Sequence, residues 1–117
     1  MGIPYKTGYV KTGILGTIEG KNPSKRTIAL RADFDALPMN EKNSFDHKSL
    51  NEGMMHACGH DGHTTMLLGA VKYLKENPDF DGNVYFIFQP GEEGLGGGEK
   101  MIQDGLFNDF KIDEVYA

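Results

Sequence analysis

Apolar residues along the 117-residue chain fall into a few short, periodic blocks. Met66, Leu67, Ala70, Val71 and Leu74 recur every three or four positions. That spacing puts them on one face of a helix predicted over Thr64 to Glu76. Asn77-Pro78 closes it, because proline disfavours helical backbone before it and donates no amide hydrogen. Asn83 to Gln89 contains a continuous apolar run, Val84 to Phe88, as in a strand buried on both faces of a parallel sheet. Pro90 ends that strand. Gly8 to Gly20 reads as a glycine-interrupted strand and Lys21 to Lys25 as a turn. Thr27 to Arg31 reads as a second strand hairpinned to the first. Glu99 to Gln103 starts another helix, closed by Gly105, and Asp113 to Ala117 starts a last apolar stretch. The order β-β-α-β-α-β predicts an α/β fold with a largely parallel sheet.

Val115-Tyr116-Ala117 reads as a strand cut in its middle, and no helix precedes the first strand. The expectation is one partial domain, residues 1–117, from a larger protein. Composition narrows the function. Hydrophobic residues make up 38% and charged residues 25%, the balance of a globular chain rather than a disordered one. Seventeen acidic against twelve basic residues give a net charge of −5, which argues against nucleic-acid binding, since that runs on clustered Lys and Arg. No apolar run approaches the roughly 20 residues of a membrane helix, and no signal peptide is visible. Cys58 has no second cysteine to pair with, so a reducing compartment, the cytoplasm, fits.

The sixteen glycines, about twice the usual share of roughly 7%, gather around three motifs. The densest is His56-Ala57-Cys58-Gly59-His60-Asp61-Gly62-His63. Imidazole and thiolate are ligands for transition metals, and a Cys-x-His spacing with flanking glycines lets both side chains point one way. The alternative is a polar loop with incidental histidines. The second motif, Gln89-Pro90-Gly91-Glu92-Glu93-Gly94, places two carboxylates just past a buried strand, where sites of α/β sheets lie. One can hold a metal while its neighbour acts as a base; the alternative is a solvated acidic turn. The third, Arg31-Ala32-Asp33-Phe34-Asp35-Ala36-Leu37-Pro38, sets two aspartates on one side of an extended backbone, suited to ligating a metal or supporting a ligand.

Other chemistries fit less well. Gly94-Leu95-Gly96-Gly97-Gly98 lacks the lysine and spacing of a phosphate-binding loop, and Glu99 stands where G-x-G-x-x-G needs its last glycine. H-E-x-x-H is absent, and a single cysteine excludes the zinc-deaminase pattern. A nucleophilic Cys58 with a histidine two residues away has poor geometry and leaves the glutamates unexplained.

Together, in this order and at these separations, R-A-D-F-D-A-L-P, H-A-C-G-H-D-G-H-T and F-Q-P-G-E-E-G resemble the amidohydrolase branch of the aminoacylase/carboxypeptidase metallopeptidases. Hippurate hydrolases, N-acetyldiaminopimelate deacetylases and auxin-conjugate hydrolases belong to it. The resemblance covers essentially the whole chain. It implies a zinc-peptidase-like catalytic α/β domain, into which a smaller domain that makes the dimer contact is inserted in the family. It also implies hydrolysis of N-acyl amino acids with two divalent ions (zinc, manganese, nickel or cobalt). By position, Cys58, His60 and Glu93 match metal ligands, and Glu92 matches the base that takes a proton from metal-bound water. Asp33 and Asp35 lie in the motif that supports the ligands. His56, His63 and Gln89 receive no role. The resemblance further implies that the inserted domain and two more histidine ligands lie outside these 117 residues. The chain alone is therefore expected to be inactive or nearly so, a remnant or a metal-binding module.

Overall fold

The computed structural model describes residues 1–117, except for the side chain of Pro23. Five strands, β1 (Tyr5–Tyr9), β2 (Gly13–Glu19), β3 (Asn22–Asp33), β4 (Asp81–Gln89) and β5 (Glu114–Tyr116), form one sheet in the order β1-β2-β4-β3-β5. β4, β3 and β5 run parallel, while β1 and β2 join as an antiparallel hairpin on the other side of β4. A 17-residue helix, α1 (His60–Glu76), covers one face. The short helices α3 (Gly97–Gln103) and α4 (Leu106–Asp109) cover the other, and α2 (Glu92–Leu95) is a single turn broken at Glu93 and Gly94.

The predicted α/β class holds, and the sheet, expected to be largely parallel, is mixed through its one antiparallel strand, β2. Several local expectations need correction, the first being the turn expected over Lys21 to Lys25, which falls mostly inside β3. The stretch from Gly8 to Gly20 is not one strand: Val10 and Lys11 take positive φ values of 48° and 68°, which reverses the chain between β1 and β2. Nor are β2 and β3 hairpinned, because β4 lies between them, antiparallel to β2 and parallel to β3. Backbone bonds from Gly20 to Gly82 (2.8 Å) and from Lys21 to Pro78 (2.8 Å) lead the chain around the end of β4. The physical reason lies in β4 itself. Its apolar residues face both ways, so it stabilises the fold most in a position covered on both faces.

Alternation along β4 sorts the core into two layers. Val84 and Phe86 pack with Ile18, Ala32, Leu67 and Val71 under α1. Ile87 packs with Tyr9, Leu15, Ala29, Met101 and Leu106 under α3 and α4. Leu67 and Val71 form the buried line of α1, but Met66, expected on the same face, is 67% exposed. The helix also starts four residues before the predicted Thr64. Gly59, at φ 118°, turns the chain in, and His63 N–H closes the first turn on Gly59 O at 3.0 Å. The segment His60-Asp61-Gly62-His63 carries no apolar period, so a hydrophobic pattern cannot reveal it.

Phe86 is 1% exposed at the sheet centre. Phe86→Ala is expected to cost about 3–5 kcal/mol, read as a lowered urea midpoint. Tyr73→Ala, at an exposed helix position, is expected to stay within about 0.5 kcal/mol.

Candidate metal centre

Three segments meet beyond the carboxyl ends of β3 and β4. β3 ends at Asp33 and is followed by Asp35, and β4 ends at Gln89 ahead of Pro90-Gly91 and the Glu92-Glu93 pair. Phe34 N–H donates to Gln89 O at 3.0 Å, so the two strand exits leave the sheet together. α1 contributes His60 and His63 from its first turn. The chain between the aspartates and Cys58 is tied at its base: Leu37 N–H donates to Met55 O at 2.9 Å, and Met55 N–H donates to Leu37 O at 3.0 Å. Close packing shapes the glutamate turn. A Cβ on Gly97 would stand 1.7 Å from Pro90 O, so only glycine lets the backbone pass there.

His60 is 2% exposed. Its Nδ1 lies 3.0 Å from the carbonyl oxygen of Asp35 and 3.2 Å from Asp35 Oδ1. A carbonyl can only accept, so Nδ1 carries the proton and Nε2 keeps a lone pair. Nε2 faces Asp33 Oδ1 at 3.7 Å and Glu92 Oε2 at 3.8 Å. The other oxygen of Asp35, Oδ2, accepts Glu93 N–H at 3.0 Å, which fixes the glutamate turn against the aspartate motif. His63 Nδ1 donates to Asp33 Oδ1 at 2.7 Å, and Arg31 pairs with Asp33 Oδ2 at 2.9 Å. Thr64 Oγ1 donates to the Asp33 carbonyl at 3.1 Å.

Electrostatics follow from these partners. Burial pushes the Asp33 carboxyl up, but the His63 hydrogen bond and the Arg31 guanidinium outweigh it and hold it below its ordinary value. Burial likewise raises Asp35, and the backbone N–H groups of Glu93, Glu92 and Asp35 itself bring it below normal. The exposed Cys58 thiol is pushed up by its hydrogen bond to Glu93, by desolvation, and by the charges of Glu93, Glu92 and Asp33.

Cys58, His60 and Glu93 each offer one ligand atom, all within 4.8 Å of one another, and so do Asp33, His60 and His63. The first set fits a divalent transition-metal ion by its chemistry: a thiol, an imidazole lone pair fixed by its other nitrogen, and a carboxylate. A thiol held protonated by surrounding carboxylates needs a cation to become a thiolate, and an ion at this place reverses the local balance. Both sets draw on His60, whose Nδ1 is engaged by Asp35, so these residues offer its one free nitrogen to one ion at a time. Of the residues singled out from the sequence, Asp33, Asp35, Cys58, His60, Glu92 and Glu93 come together here. His63 joins them, although nothing in its sequence context separated it from His56. Among the described residues, His56 belongs to neither ligand set.

Residues 29–117 match the model of peptidase family M20/M25/M40. The chain belongs to that family. It is 53% identical to the hippurate hydrolase of Campylobacter jejuni over 107 residues, covering 92% of this chain and 27% of that protein. It is 49% identical to the N-acetyldiaminopimelate deacetylase of Lactobacillus acidophilus over 107 residues, 91% of this chain and 27% of the relative. The crystal structure of a Bacillus subtilis protein described as a dinuclear metal binding peptidase of the M20 family superposes with a TM-score of 0.88 at 36% identity, covering 97% of this chain and 32% of that one. The chain thus spans about a third or less of the length of these relatives.

Two outcomes check this geometry. The lowered Asp33 carboxyl contributes stability above its unfolded value of about 3.9, and that contribution is lost as pH falls through the lower folded value. Asp33→Asn is expected to cost about 2 kcal/mol at neutral pH and to flatten the acid limb of a denaturation series. An unchanged acid limb would show that Asp33 is not held this way. Cobalt(II) added to the chain is expected to produce thiolate-to-cobalt absorption in the near ultraviolet, with release of a proton. Cys58→Ser is expected to abolish that absorption.

Proposed function

We propose that this chain carries the metal-binding part of a hydrolase that cleaves the amide bond of N-acyl amino acids. The observation that supports it most is the meeting of the Cys58, His60 and Glu93 ligand atoms beside the exposed carboxylate of Glu92. In this reading Cys58, His60 and Glu93 hold a divalent ion, one of a pair of zinc, manganese, nickel or cobalt ions. Such ions, when bound, supply Lewis-acid polarisation of the amide carbonyl and make water easier to deprotonate. Glu92, 46% exposed in its side chain, takes the proton from the attacking water as the new C–O bond forms. It then returns that proton to the nitrogen as the C–N bond breaks. Asp35 keeps His60 in the tautomer that leaves Nε2 free, and Asp33 holds His63 beside it.

The substrate class follows the activities named for the relatives, hippurate hydrolase and N-acetyldiaminopimelate deacetylase. The same reading places the whole protein as a cytoplasmic homodimer acting on small molecules, without nucleic-acid or membrane partners. Among the described residues, no helix is long and apolar enough to cross a membrane. A second reading, a metal-binding module without turnover, is favoured by the small number of ligand atoms brought together within this stretch.

In a protein of the relatives' length carrying this segment, Glu92→Gln is expected to lower kcat for N-benzoyl and N-acetyl amino acids about 10²–10⁴-fold with metal content unchanged. Turnover that survives the substitution would remove Glu92 from the base role. Metal binding by the 117-residue chain without turnover is the outcome of the second reading.

A further inference from the structure

Arg31 opens the aspartate motif, and beyond its ion pair with Asp33 it has no assigned role. Its side chain is 23% exposed, that of Asp33 is 6% exposed, and the pair closes at 2.9 Å through one guanidinium NH₂ group. Its Nε donates to Gln89 Oε1 at 2.9 Å, across the β3–β4 ladder. Gln89 is itself 7% exposed, and its amide is confined by Gly98, where an added Cβ would stand 3.0 Å from Gln89 Oε1. One planar group thus bridges an amide fixed on β4 and a carboxylate at the end of β3. It occupies Asp33 Oδ2, so Oδ1 is the oxygen that turns toward His63 Nδ1 at 2.7 Å and faces His60 Nε2 at 3.7 Å.

We propose that Arg31, braced by Gln89, is a positioning residue: its fork fixes the rotation of the Asp33 carboxylate and thereby the orientation of the imidazoles at the metal centre. The inference rests on the metal-centre reading above. It turns on geometry rather than charge, because a lysine would supply the same charge but cannot span Gln89 and Asp33 in the plane of the ladder. Side chains that orient a ligand's surroundings typically change metal affinity about 10–100-fold when removed.

The test uses the 117-residue chain with cobalt(II) as probe, together with long-range proton–nitrogen NMR of the histidine rings in the metal-free protein. Arg31→Met is expected to weaken cobalt binding at least about 10-fold and to alter the visible absorption of the bound ion. In the metal-free protein it is expected to reduce the Nδ1–H population of His63. Arg31→Lys is expected to restore less than half of the loss. Gln89→Met, which keeps the ion pair but removes its brace, is expected to fall between wild type and Arg31→Met, and it carries the test if the latter does not fold. Urea midpoints separate positioning from general destabilisation. Wild-type cobalt affinity and His63 tautomer in Arg31→Met, or full rescue by lysine, would overturn the proposal. If the wild-type chain gives no thiolate–cobalt absorption, the metal-centre reading fails on its own. The His63 tautomer in the metal-free variants then still decides whether Arg31 positions Asp33.

Discussion

Asp33 on β3 lies opposite Gln89 on β4, the last pair of a parallel ladder that runs on from Thr27 opposite Asn83. The chemistry of the molecule depends on that register. Parallel strands bring their carboxyl ends to the same edge, so the aspartate motif and the glutamate motif emerge side by side although they are more than fifty residues apart. A slip of one residue would turn Asp33 to the opposite face of the sheet and separate the two exits. The two-sided burial of β4 opposes such a slip, because Val84 and Phe86 fill one layer while Ile87 fills the other.

Histidine placement follows from the same frame. Leu67 and Val71 seat α1 on the sheet, and the first turn of the helix then projects past the sheet's edge, where His60 and His63 meet the strand exits. The centre is therefore built on a strand pair and a helix end, and only Cys58 and the glutamates come from turns. Asp35 links these parts by accepting from the His60 ring and from the Glu93 backbone at once. One carboxylate thus couples the imidazole's tautomer to the conformation of the turn that carries Glu92 and Glu93.

Much of this was legible in the sequence, for definite reasons. The apolar spacing of Leu67 and Val71 and the run from Val84 to Phe88 report burial directly, so α1 and β4 stood out. The three motifs stood out because their residue types are rare together. What stayed hidden depends on contacts between distant segments. Sequential strands usually pair, so β2 and β3 read as a hairpin, and the insertion of β4 between them leaves no local mark. The turn at Val10 and Lys11 uses positive φ at residues that seldom adopt it. His63 resembles any polar residue at the start of a helix until Asp33 is seen beside it, and Arg31 reads as an ordinary strand residue until Gln89 is seen across the ladder.

The paired bonds between Leu37 and Met55 have a consequence for how such a chain can vary. Residues 38–54 leave the site and return to it through a closed neck, so their path beyond the neck exerts no leverage on Asp35 or Cys58. Doubling the length of an excursion of this kind costs only about 0.6 kcal/mol of closure entropy. The segment can therefore lengthen, shorten or change its surface as an exchangeable cassette while the chemistry at its base stays in register. Met39, Phe45, Leu50 and Met54 are exposed along it and belong to neither core layer.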